Sequence, residues 1–156
     1  MDFKPKYTIK DETIFQNDRA KMGNLILEGM KTSGGTDIDW LIERNGNFVI
    51  MENKGFAGGD NIVIPWGQLI AFKKLHEKLN QSGKCYFYFF GYDEIDFKDE
   101  DSMIWYFEMQ DFKDNNIEFE KVENKFLIKR QDMKSIMLKQ YRDLMEKHWN
   151  EFGNQN

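Results

Sequence analysis

The sequence has little of the residues that most constrain a chain: 156 residues include one cysteine and two prolines. A lone thiol, Cys85, excludes a disulfide framework and any zinc or iron–sulfur centre built from several thiolates. No proline-rich linker, repeat or low-complexity tract interrupts the chain, which reads as a single domain over residues 1–156. No apolar run approaches the roughly 20 residues needed to span a bilayer. The opening residues, Met1-Asp2-Phe3-Lys4-Pro5-Lys6, lack the apolar segment of a signal peptide. A soluble cytoplasmic protein without a membrane partner is expected. Disorder is excluded, because 40% of residues are hydrophobic and 15% aromatic, enough for one core.

A net positive charge is also missing, since the formal charge is −5. The deficit is local. Residues 93–120 carry 11 acids against 2 bases, whereas residues 121–147 carry 8 bases against 4 acids. The charge therefore does not exclude nucleic acid; it predicts which side of the protein a duplex would avoid. The acidic segment 93–120 could also meet a basic protein partner. The basic stretch from Lys121 to Arg142 reads mainly as a solvated face.

Helical spacing of Phe15, Met22, Leu25, Ile26 and Met30 predicts a first helix over 13–30. Two strands follow, Thr36–Glu43 and Asn47–Lys54. Between them Asn45-Gly46 suits a type I′ turn, which needs positive φ at both positions. A glycine-rich loop, 55–60, leads to a second helix with Pro65 near its first turn. Cys85–Phe90 reads as a central strand covered on both faces. Strands are expected over Met103–Met109, Ile117–Val122 and Phe126–Lys129, and a long helix over Gln131–Phe152. The order αββαβββα predicts an α/β protein with a sheet flanked by helices.

A two-residue turn at Asn45-Gly46 makes paired positions add to 91. Asp39 then faces Glu52, and Asp37 faces Lys54, on one side of the hairpin. Facing carboxylates repel unless a cation or shared proton separates them. A hard divalent ion, Mg²⁺ or Mn²⁺, suits that gap, and Lys54 adds a positive charge that can orient water or hold a phosphate oxygen. Gln68, Phe72, Leu75 and Leu79 share the inward stripe of the second helix. Gln68 would then face the site, or cap nearby backbone as a buried amide.

Thr36-Asp37-Ile38-Asp39 followed by Phe48-Val49-Ile50-Met51-Glu52-Asn53-Lys54 resembles the core of the PD-(D/E)xK nuclease superfamily, in particular its resolvase, VRR-NUC and RecB-like branches. The proline of the family name is absent, and either Asp37 or Asp39 could be the family's aspartate; the register favours Asp39. The resemblance implies a restriction-endonuclease-like fold: an αβββαβ core with a central mixed sheet, here extended by further strands and a long C-terminal helix. The third core strand is not evident near the glycine-rich loop. It further implies that Asp39 and Glu52 bind Mg²⁺ or Mn²⁺, with the Asn53 carbonyl as a further ligand, and that Lys54 assists the nucleophile. A glutamine like Gln68 occurs in several branches. Family members often take another ligand from the first helix: Asp18, on its apolar stripe, is the candidate, Glu12 stays open, and Glu28 lies off the stripe.

The function so implied is a metal-dependent DNA endonuclease, structure-selective for branched or junction DNA as in recombination and repair, and a possible homodimer. The alternative is a catalytically inactive nuclease-fold binding module in a DNA-processing complex. His76 and His148 read as exposed helix residues, Cys85 and the aromatics of 86–92 as core.

Overall fold

A computed structural model describes residues 11–31, 35–56, 59–93 and 98–154. Ala57 and Gly58 of the glycine-rich loop, Glu94–Phe97 of the acidic segment and the side chain of Glu12 lie outside the described residues. The chain divides into two compact units, the first ending at Asp37 and the second covering Ile38–Asn156.

In the first unit, helix α1 spans Glu12–Gly29. Asp11 caps it, its carboxylate accepting the Ile14 N–H at 3.0 Å. Asp37 forms an ion pair with Arg19 in the same unit. Phe15, Met22 and Ile26 are exposed.

The second unit holds a five-stranded mixed sheet in the order β1-β2-β4-β5-β8, built from Trp40–Arg44, Asn47–Gly55, Cys85–Tyr92, Met103–Glu108 and Lys134–Met137. A smaller sheet pairs β3 (Asn61–Pro65) with β7 (Lys125–Lys129), and β7 with β6 (Glu120–Val122). Helix α2 covers Trp66–Leu79, a short α3 Met109–Lys113, and α4 Leu138–Gly153. The expected coarse class, mixed α/β with helices against a mixed central sheet, is what the chain forms.

Side-chain alternation along β2 and β4 assigns each face its helix. Ile50, Phe87 and Phe89 pack with Leu69 and Phe72 of α2 and with Ile62, Ile64, Phe126 and Ile128 of the small sheet. Val49, Met51, Tyr88 and Phe90 pack with Tyr141, Leu144 and Phe152 of α4. The central strand is covered on both sides, as its unbroken apolar run requires.

Three expectations are corrected. A third strand, β3, does follow the glycine-rich loop, so the order from α1 to β4 is αβββαβ. It joins β7 rather than β2. The C-terminal helix starts at Leu138, not Gln131, because Lys134–Met137 pairs with β5, Ile136 against Ile104. The two histidines are buried, at 4% and 5% exposure, not exposed. His76 continues the inward stripe of α2 four residues after Phe72, and His148 stacks on Tyr86 and shares a hydrogen bond with the Tyr88 hydroxyl at 2.6 Å. Cys85 is core as expected, and burial pushes its thiol up to about 12.

Candidate metal and hydrolytic site

Turn chemistry sets the geometry of the hairpin. Asn45 and Gly46 both have positive φ, 53° and 77°, and the β1–β2 ladder runs from Trp40 opposite Met51 to Arg44 opposite Asn47. Every pair adds to 91. The ladder starts at Trp40 rather than Thr36, so Asp37 does not pair with Lys54; it belongs to the first unit with Arg19. Asp39 sits one residue before β1 and is exposed. Its Oδ2 accepts the backbone N–H of Asn53 at 2.8 Å, which ties it beside Glu52.

Phe48, Ile50, Glu52 and Lys54 alternate toward the α2 face. Glu52 is therefore drawn into the sandwich at 3% exposure. Its Oε1 accepts from the Lys54 ammonium at 2.8 Å and from the Gln68 amide at 2.9 Å. The Gln68 carbonyl accepts from Lys54 at 2.7 Å, closing a triangle of three side chains. Gln68 occupies the third position of α2, and the helix entry is fixed when the Trp66 N–H donates to the Asn124 carbonyl at 2.8 Å. Gln68 is thus a side-chain partner of Glu52 and Lys54.

Among the described residues, Glu52 Oε2 is buried without a well-formed hydrogen bond, although the Asp39 backbone N–H lies near enough to favour the charged carboxylate. Burial raises the Glu52 pKa above its ordinary 4.5, Lys54 opposes this, and the nearby Asp39 charge raises it again. A buried carboxylate oxygen without a well-formed hydrogen bond is costly unless a proton or a cation offsets its charge. The donors on offer, carboxylate oxygens of Asp39 and Glu52 with backbone carbonyls near Asn53, are hard and oxygen-only. No group of three or more His, Cys, Asp and Glu side chains converges among the described residues. Mg²⁺ often takes only one or two carboxylates and keeps water on its other positions, so two suffice.

The structure thus gathers Asp39, Glu52, Asn53, Lys54 and Gln68. Asp18 is exposed on α1 in the other unit, as is Glu28. One residue the sequence reading passed over is Asn47, 1% exposed. Its side chain donates to the Arg44 and Asn45 carbonyls at 3.2 Å each and accepts the Lys84 N–H at 2.9 Å, locking the hairpin turn to the α2–β4 connection. A polar residue immediately after an Asn-Gly turn was the available signal.

The acidic segment meets bases of its own chain. Asp93 takes two bonds from Arg130 at 2.7 and 3.1 Å, Glu100 pairs with Arg142, Asp101 with Lys139 and Asp111 with Lys134. No helix among the described residues is long and apolar enough to cross a membrane. No protein-family model matches this sequence, and a search of curated proteins returns no match.

Proposed function

We propose that this protein hydrolyses phosphodiester bonds of nucleic acid with Mg²⁺ or Mn²⁺, using Asp39, Glu52, Lys54 and Gln68. The observation that carries the reading is the buried carboxylate of Glu52, its Oε2 without a well-formed hydrogen bond among the described residues, beside Asp39 and within a triangle that also holds a lysine. Asp39 and Glu52 would hold the cation, with the Asn53 carbonyl as a further oxygen donor. Bound there, a divalent ion lowers the pKa of a water and offsets charge on the phosphate.

Lys54 spends two of its three donors on Glu52 and Gln68, which fixes its direction and leaves one for a water or a phosphate oxygen. Gln68 acts through Lys54 and Glu52 as a positioning residue. Branched or junction DNA is the preferred substrate class, by the resemblance to resolvases. The test is incubation with end-labelled linear, single-stranded, flap and four-way-junction DNA plus Mn²⁺. Cleavage of at least one substrate, abolished by chelator and by Glu52→Gln, is expected. Failure to cut any of them, or cleavage that survives Glu52→Gln, would refute it.

A further inference from the structure

The surface at the start of α2 carries a feature that the hydrolytic centre does not use. Trp66, the first residue of α2, is 39% exposed. Phe126 stacks on its ring, centroids 5.4 Å apart and planes 14° from parallel. The Lys121 ammonium lies over the same ring, 3.9 Å from its centroid. Helical spacing places Ile70, 37% exposed, and then Lys73 and Lys74 on the same side of α2 as Trp66.

Some basic groups of this unit are committed to acids and others are not. Arg130, Lys134, Lys139 and Arg142 are committed to the acids at 93–111. Among the described residues, Lys73, Lys74 and Lys121 enter no ion pair. The exposed indole thus has the Lys121 ammonium over it and Lys73 and Lys74 further along its helix face, while Glu120 and Glu123 flank Lys121 in sequence. It shares one turn of α2 with Gln68, which lies on the inward face.

We propose that Trp66, backed by Phe126, is a stacking platform for an unpaired base of a nucleic-acid strand, and that Lys121 yields the ring to the base and takes a neighbouring phosphate. This rests on the phosphodiesterase reading and names the form of its substrate. A π-face beside lysines is the chemistry of single-strand binding: the aromatic takes any base and the ammonium groups follow the backbone. An exposed cation–π contact is weaker than base–aromatic stacking, so the exchange runs toward the base. A blunt duplex keeps its bases paired and gains nothing from the ring. A flap, a frayed end or an opened junction offers one.

Binding is measured in chelator, so that no cleavage occurs, by fluorescence anisotropy of labelled single-stranded DNA, single-stranded RNA, an abasic oligonucleotide of equal charge, and blunt duplex DNA. Wild type should prefer the single strands with bases. Trp66→Ala should weaken that binding by about 10-fold and leave abasic binding unchanged. Trp66→Phe should restore most of it, and Lys121→Gln should weaken it several-fold. Lys139→Gln, paired with Asp101 in the fold, should bind as wild type. Circular dichroism reports whether each variant is folded; should Trp66→Ala unfold, Lys121→Gln and Trp66→Phe decide alone. Equal affinity for the abasic and base-bearing strands, or wild-type binding by folded Trp66→Ala or Lys121→Gln, overturns the platform. Because binding is read without metal, a platform that fails leaves cleavage by the Glu52 centre standing. A platform that binds while no substrate is cut overturns only the hydrolytic reading.

Discussion

Glu52 is held between opposing demands: burial favours its neutral form, while Lys54 and the proposed cation favour the charged one. Its pKa lies above 4.5, so the folded protein takes up a proton at higher pH than the unfolded chain. Stability from this group is present at low pH and lost as pH rises through the folded pKa. In chelator near neutrality, Glu52→Gln should therefore keep or raise Tm, the amide still able to accept from Lys54 and Gln68. On adding Mn²⁺, wild type should gain Tm and Glu52→Gln should not. A variant that melts lower in chelator and still responds to Mn²⁺ would contradict this. The proton competes with the cation for the same carboxylate, so the Mn²⁺-induced shift should fade on acidification while the pH is still above 4.5. Thermal melts across pH check it, and a shift undiminished to that point would be contrary. His76 and His148 show the reverse lesson at this scale. Their buried positions follow the 3.6-residue period of their helices, four residues from Phe72 and from Phe152, and a polar residue type hides that signal.

At the scale of elements, the hairpin is the part most open to reading, since its register depends on two adjacent residues. Asn45 and Gly46 fix the turn, the turn fixes the pairing to 91, and the pairing brings Asp39 to Glu52. Asn47 then fastens the turn to Lys84. Asn47→Ala removes an acceptor from one part-buried N–H and a donor from two carbonyls, and should cost about 1–3 kcal/mol in urea unfolding. A change within about 0.5 kcal/mol, the range of surface substitutions, would show that the lock is inert. Strands β3 and β8 could not be read this way. Lys134–Met137 has helix-forming letters and becomes a strand because β5 offers Ile104 and Trp105 as partners, which are distant in sequence. Likewise, Asn61–Pro65 is short and needs β7 to pair with. Long-range pairing overrode local propensity in both.

Across the whole molecule, the net charge of −5 is folded back on itself. Asp93, Glu100, Asp101 and Asp111 pair with Arg130, Arg142, Lys139 and Lys134; among the described residues, Lys73 and Lys74 on α2, Lys121 on β6 and Lys125 and Lys129 on β7 enter no ion pair. Arg130 anchors this arrangement. Its guanidinium lies over Phe56 and Trp105, 3.9 and 4.5 Å from their centroids, while it grips Asp93 with two bonds. A planar, forked cation does this and an ammonium cannot. Arg130→Lys should lower Tm clearly, whereas Lys139→Gln, an exposed single pair, should scarcely change it. Equal shifts in the two melts would contradict the anchoring role. Segment charges were countable in the sequence; which base meets which acid depended on strands that only the fold brings together.

The candidate centre was legible because its members lie on the hairpin and the first turn of one helix. The burial of the Glu52 carboxylate was not, since it depends on how β2, α2 and the small sheet pack. The most direct measurement is the initial rate of Mn²⁺-dependent cleavage of four-way-junction or flap DNA by wild type and Glu52→Gln side by side. A fall of at least about 100-fold in the variant, with circular dichroism and melting of the folded protein intact, is expected. Equal rates, or no cleavage by wild type of any branched, single-stranded or linear substrate, would contradict a hydrolytic centre at Glu52.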